Sequence, residues 1–380
     1  MLDLVNVYAE DEAMYKKRAH LVEVSAIGLI PNLTLDYYMD QETFNIELQS
    51  KYEDANDRNL LLEFTSKVKV ESGKPVVYAS TDALYDFAKA IAGERAEVRD
   101  LMPGIVDAHH WEPTPQTIVE LNSAKMLLLN GAGFEMWLED VKASLDSGVE
   151  LVDCAEHVEL LKSAEDHDHE HEHEHEDANH SHEEHEHESA AAESHDEHEH
   201  HHHGEFDPHY WLNAKASENQ AKSVYEAFVK MDPEGEAEYK ANYETLLEKF
   251  HALEKDYDEA LKEFSGKSIL VPHKAFSYLA HEYNLEQIAI EGMLADGQPN
   301  AGRMSEIIDL AKEQGIKAVF YDAYGDLKAA EQVATELGVK TLPIYTLESI
   351  SEEDRANGED YFTLMHKNLD NLVKSFKGVE

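Results

Sequence analysis

From residue 74 onward, short apolar runs alternate with longer stretches of helical spacing. Pro75 to Ser80 reads as a strand. Asp82 to Ala92 then places Leu84, Phe87, Ala88 and Ile91 at helical intervals and stops at Gly93. Ala96 to Leu101, Lys125 to Asn130 and Val149 to Val152 read as further strands, with helices predicted over Thr117–Ala124 and Phe134–Ser147. Helical pattern runs through Ala214–Met231, breaks at Asp232-Pro233 and resumes from Glu234 to about Phe264. Alternation then returns. Strands are predicted at Ser268–Val271, Gln287–Ile290, Lys317–Tyr321 and Thr341–Tyr345, and helices at Ala275–Tyr283, Met304–Gln314, Leu327–Leu337 and Tyr361–Phe376. Strands alternating with helices imply parallel sheets. The expected architecture is two α/β lobes joined by a long rigid helix. The predicted divisions are an unassigned extension at 1–73, an N-terminal lobe at 74–213, a helical linker at 214–265 and a C-terminal lobe at 266–380.

One stretch breaks this pattern. Between Glu165 and Glu205 the chain carries 17 acidic residues, 15 of the 24 histidines and no lysine or arginine. Such a composition cannot bury a core, so a disordered or mobile loop is expected there. The whole chain of 380 residues sets 32 basic against 80 acidic side chains, a formal charge of -48. That balance argues against nucleic acid and against an electrostatic hold on anionic membranes. The single cysteine, Cys154, excludes a disulfide framework and multi-cysteine zinc sites, and is expected to be a small buried thiol. No apolar run reaches the length of a membrane span. Leu21 to Ile30 follows Lys16-Lys17-Arg18, but Glu23 interrupts it, so it is not a convincing signal peptide.

Outside the tract, three histidines stand immediately after candidate strands or at loop-to-helix junctions. They are His109 in Asp107-Ala108-His109-His110-Trp111-Glu112-Pro113-Thr114-Pro115, His209 in Asp207-Pro208-His209-Tyr210-Trp211-Leu212-Asn213, and His273 in Val271-Pro272-His273-Lys274-Ala275-Phe276. Ligands of open α/β sheets bind outside the carboxyl ends of the strands. Imidazole suits zinc and, less selectively, manganese, iron, copper or nickel. Because a lone histidine is more often structural than a ligand, position alone leaves the two readings in balance. His20, His157, His251, His281 and His366 lack such a setting and read as structural or solvated. His110 is at best an outer contact, and Trp111 and Trp211 read as packing that holds the loops. His169-Glu170-His171-Glu172-His173 matches a metalloprotease pattern by chance, since the tract lacks the apolar residues a stable helix needs.

Four motifs together resemble the zinc/manganese solute-binding proteins of ABC importers. The first two histidine segments are similar to that family's D-P-H-x-[YW]-E-P-[TL]-P and D-P-H-x-W-L-[ND] signatures. Val271-Pro272-His273-Lys274-Ala275-Phe276-Ser277-Tyr278 and Asn130-Gly131-Ala132-Gly133-Phe134-Glu135 resemble its [ST]-H-x-A-F-x-Y and N-G-x-G-[LF]-E elements. The four stand in the family's order, and the His/acid-rich loop before the second signature is typical of its zinc members. Ala108 departs from the usual proline, and the first 73 residues match no part of the pattern.

The resemblance implies a metal held in the cleft between two lobes by His109, His209, His273 and a late carboxylate. Glu348, in Leu342-Pro343-Ile344-Tyr345-Thr346-Leu347-Glu348-Ser349, resembles the family's P-L-E-S version. Asp322 is its rival, and some zinc members take water there. A His3Glu set with one formal negative charge suits Zn2+ as transported ligand. The tract would add weak auxiliary sites at His167, His169, His171, His173, His175, His198, His200, His201, His202 and His203. The implied function is extracytoplasmic capture of Zn2+ by a monomer and its delivery to the membrane permease of an ABC importer, without covalent chemistry. Manganese or iron carriage, an intracellular zinc buffer or metallochaperone, and a zinc hydrolase are the competing readings.

Overall fold

The computed structural model describes residues 74–163, 205–293 and 300–379, together with four backbone strands before them. Contacts divide the chain into two compact units, Met1–Val77 with Glu94–Glu97, and Tyr78–Gly93 with Val98–Glu380.

The first unit contains β1 (Leu33–Met39), β2 (Thr43–Ser50), β3 (Leu61–Leu62) and β4 (Val68–Lys69). β1 pairs antiparallel with β2, with Met39 opposite Phe44, and β3 and β4 both pair antiparallel with β2. The strands add definition to a segment whose mixed pattern suggested no element.

The division runs through β5 (Val76–Ala79) and β6 (Glu97–Asp100). Between them lies α1 (Asp82–Ala92), whose first turn is capped by the Thr81 hydroxyl accepting from Leu84 N–H. Its apolar stripe, including Leu84, Phe87 and Ile91, is fully buried. α2 (Pro115–Asn122) begins two residues earlier than its apolar spacing suggests, because Thr114 caps it and Pro115 suits the first helical position. β7 (Met126–Leu129) is buried throughout. α3 (Leu138–Val141) and one 3-10 turn (Lys142–Ser144) replace the longer helix predicted over Phe134–Ser147. The reason lies upstream. Gly131, Ala132 and Gly133 all take positive φ, so the chain is still turning through Phe134. A Cβ on Gly131 would lie 1.9 Å from Asp153 Oδ1, which excludes any side chain there.

With β8 (Glu150–Asp153), these strands form a sheet in the order β6-β5-β7-β8, and β7 pairs with β8 in parallel. The connections leave β5 and β7 in opposite directions. A crevice therefore opens at their carboxyl ends, where doubly wound sheets bind ligands.

Two long helices follow, α4 (Ala214–Met231) and α5 (Glu236–Leu261), separated by a 3-10 turn at Pro233–Gly235. Tyr225 stacks on Tyr243 and Phe228 meets Tyr239, so the two helices run antiparallel. The 26 residues of α5 span about 39 Å. Its Phe250 packs edge-on against Phe87 of α1 at 5.1 Å.

The remaining half holds β9 (Ser268–Val271), α6 (Ser277–Glu282), β10 (Glu286–Ala289), α7 (Ala301–Glu313), β11 (Ala318–Asp322), α8 (Lys328–Leu337), β12 (Lys340–Ile344), α9 (Glu352–Ala356) and α10 (Tyr361–Lys377). β10 pairs with β9 and β11 with β12, both in parallel, and β11 also lies against β9. Leu270, Ile288, Ile307, Val319 and Val333 form the buried core between strands and helices. α6 starts two residues later than its apolar spacing suggests, because Phe276 N–H donates to the Gln287 side chain instead of entering a helix. Pro343 is tolerated within β12 because, among the described residues, β11 is its one strand partner. α9 was not expected from apolar spacing. Its signal is polar: Ser351 caps a first turn of Glu352, Glu353 and Asp354.

Candidate metal centre

His109 sits in the long connection between β6 and α2. Asp107 Oδ1 accepts the His109 backbone N–H at 3.2 Å, an Asx turn that sets the loop. Ala108, where a proline was expected, is buried. Phe134 packs edge-on against the His109 ring.

His209 lies just before a 3-10 turn (Tyr210–Leu212) that leads into α4. The turn is braced on all sides. Asp207 Oδ1 accepts the His209 backbone N–H and also meets its Nδ1, each at 2.9 Å. Asn130, after β7, donates through Nδ2 to Pro208 O at 3.0 Å and accepts from Gln220. The Tyr210 hydroxyl donates to Asn130 O. Tyr278 donates to Asp207 O at 2.7 Å. Trp211 lies against His209 and Phe134, and its indole N–H donates to Thr346 O. Trp111 instead packs against Trp137.

His273 follows β9 directly, and Glu348 follows β12 after Leu347, whose φ is +57°. Both segments therefore leave the carboxyl ends of their strands.

These four side chains meet. His109 Nε2 is 3.3 Å from His209 Nε2, and Glu348 Oε1 lies 3.7 Å from each of them and 3.4 Å from His273 Nε2. One donor atom from each falls within 4.8 Å of every other. A tetrahedral zinc shell with bonds of about 2.0–2.1 Å has donor-to-donor edges of about 3.3–3.4 Å. Most of the observed separations are at or slightly above that value. The four residues are almost fully buried, and among the described residues His273 Nε2 and Glu348 Oε1 make no hydrogen bond. Buried polar atoms without partners cost roughly 1–3 kcal/mol each. A divalent cation would supply what they lack, so the donor set fits a metal.

The electrostatics of the donors differ: burial lowers His273, but Glu348 and the nearby Asp322 and Glu291 outweigh it and raise its pKa, whereas His209 shifts the other way. Burial pushes the His209 pKa down, which keeps the imidazole neutral, as a metal ligand must be. Asp207 opposes this from Nδ1 and orients the ring so that Nε2 faces the cluster. Burial would also raise Glu348, but His109 and His273 outweigh it and hold the carboxyl well below its usual range. Asp207 is likewise depressed, its burial offset by His209.

The other candidates fall elsewhere. Asp322, at the end of β11, is outside the four-residue group; it accepts Tyr324 N–H, and burial with the nearby Glu348 charge raises its pKa. His110 is exposed and pairs with Asp107. His157, His251 and His366 each contact one surface acid, Glu226, Glu218 and Asp256. Cys154 is buried, and burial raises its thiol pKa. The ten tract histidines named as auxiliary sites lie outside the described residues. The residues flanking the tract pair with each other. Ser163 N–H donates to Glu205 O, Asp207 N–H donates to Leu161 O, and Lys162 forms a β-bridge with Phe206. Asp207, Asn130 and Tyr278 brace the histidine segments and stand outside the four-residue group. All three stood in the motifs, but nothing in the spacing said what they hold.

Residues 77–375 match the model of the zinc-uptake complex component A periplasmic family. The chain belongs to that family. A high-affinity zinc uptake system protein ZnuA from Bacillus subtilis is 31% identical over 293 residues, covering 77% of this chain and 84% of that protein. A zinc-binding protein AdcA from Streptococcus pyogenes is 33% identical over 307 residues, covering 81% of this chain but 57% of its own length. The chain therefore spans little more than half of that relative. The solved Zn(II)-bound ZnuA-like domain of Streptococcus pneumoniae AdcA aligns with a TM-score of 0.63 at 26% identity, over 80% of this chain and 99% of that domain. The zinc-uptake family fold of two α/β lobes and a long helix is the architecture expected from the alternation of strands and helices.

Proposed function

We propose that this protein captures Zn2+ outside the cytoplasm through His109, His209, His273 and Glu348, and passes it to the membrane permease of an ABC importer. The observation that carries this reading is the set of four buried donors whose separations approach the edges of a tetrahedral zinc shell. Three imidazoles and one carboxylate favour zinc over the harder ions manganese and calcium. Four protein donors leave no open position for an activated water, which favours carriage over catalysis. His109 and His209 come from the N-terminal lobe and its junction with the linker, His273 and Glu348 from the C-terminal lobe. The ion would thus join both lobes, and opening them would release it. Family membership supports the extracytoplasmic location and the permease partner, and a monomer suffices to complete the site. In this scheme the His/acid-rich tract gathers ions weakly and raises their local concentration beside the cleft.

Titration calorimetry with Zn2+ tests the reading, with Mn2+ as competitor. The wild-type protein should bind one ion tightly and prefer zinc, and His209→Ala should lose most of that affinity. Tight zinc binding that survives in His209→Ala would remove the assignment.

A further inference from the structure

Glu348 follows the last strand of the C-terminal sheet, yet its backbone is fastened elsewhere. The Glu348 carbonyl accepts from Asp82 N–H, in the first turn of α1, at 3.4 Å. Two residues on, Ile350 N–H donates to Asp82 Oδ2. Thr346 O, two residues before, accepts the Trp211 indole N–H at 2.7 Å. Between these anchors Leu347 is fully buried in the left-handed region, which a branched side chain rarely adopts. Such a conformation persists only where its surroundings over-determine it, and here they do.

Asp82 is itself held. The Arg355 guanidinium forks across Asp82 and Asp86, and it also donates to Asp82 O. The second oxygen of Asp86 accepts Tyr361 N–H at 2.8 Å, at the start of α10. Asp82 is almost fully buried. A buried carboxylate held at both oxygens has little freedom to move.

We propose that Asp82, clamped by Arg355, is a positioning residue that sets the Glu348 carboxylate against the three imidazoles. This rests on the reading of Glu348 as a metal ligand. On this account the fourth donor is fastened to α1, beside the sheet that carries the His109 loop. His273 is then the donor placed by the C-terminal sheet alone.

A double-mutant cycle tests it. Zn2+ affinity is measured by competition with a chromophoric chelator for the wild type, Asp82→Ala, Glu348→Ala and the double variant. Metal-free thermal unfolding monitors the fold. Asp82→Ala should weaken binding by roughly 10- to 100-fold, the range typical of groups that orient metal ligands. The same change in the Glu348→Ala background should cost almost nothing, because the carboxylate it places is gone. An undiminished loss in that background, or no loss in the wild type, overturns the proposal while leaving the ligand reading intact. Unchanged affinity in Glu348→Ala alone removes the ligand reading and the proposal with it. Asp82→Asn, isosteric and able to accept Ile350 N–H while losing the charge that Arg355 holds, is read in the same way if the alanine variant does not fold.

Discussion

Asp207 Oδ1 lies 2.9 Å from His209 Nδ1 in a turn sealed from solvent. The same oxygen accepts the His209 backbone N–H, so ring and main chain are fixed by one atom. The pairing leaves Nε2 as the free donor and increases its basicity. Asp207→Asn keeps the shape but removes the charge. Zinc affinity should fall about 10- to 100-fold, and metal-free stability should fall at neutral pH as well, because the depressed Asp207 pKa means that its charged form favours the folded state. Competition titration and metal-free unfolding, run side by side, check both halves of the statement.

A ligand that binds only the folded state stabilises it by mass action. At a free Zn2+ concentration of 100 times Kd the gain is about 2.7 kcal/mol. The unfolding midpoint should therefore rise on adding zinc and return on adding a chelator. His273→Ala removes the donor that follows β9, and its midpoint should respond far less to zinc in the same scan.

Glu135 gives a pH dependence whose sign can be worked out. Its carboxyl is fully enclosed, and burial raises its pKa from 4.5 to about 7 despite donors from Ser80, Asn130 and Gly131. The folded state thus holds this proton more tightly than the unfolded state. Stability should fall as pH rises from about 4.5 to about 7 and then level off, the total change for this group being of order 3 kcal/mol. Burial also raises Asp86 to about 6 and Asp100 to about 7, which adds to the same slope. Urea unfolding of metal-free protein at pH 5 and pH 7.5 should show a smaller difference in Glu135→Gln than in the wild type. An equal difference in the two proteins would exclude Glu135 as a contributor.

Ser163 and Glu205 are hydrogen-bonded to each other at the base of the tract. Replacing residues 165–204 by a short glycine-rich turn should leave that base intact. The number of zinc ions bound should drop, while the tightest site keeps its affinity. Calorimetry resolves the two classes of site; loss of the tightest one would make the tract a source of primary ligands.

The order of strands and helices after residue 74 follows from apolar spacing, because each buried stripe repeats with the period of its element. The errors fall where spacing carries no information. α3 is short because three successive positive-φ residues precede it, and α9 rests on a polar cap with no buried face of its own. Residues 33–69 mix apolar and polar positions, and their strands became visible only through pairing.

The chemistry divides in the same way. Position after strands left His109, His209 and His273 balanced between ligand and structural readings, and it was the family resemblance of their motifs that implied them, with Glu348, as ligands. That resemblance also separated Glu348 from Asp322, by a short match in a single segment. What composition could not supply was proximity, because donors up to 239 residues apart in the chain meet only after both sheets and the long helices have packed. The same holds for Asp82 and Arg355. Each reads as an ordinary charged residue in its own helix, and only the fold, by burying one against the other beneath Glu348, gives the pair a function to perform.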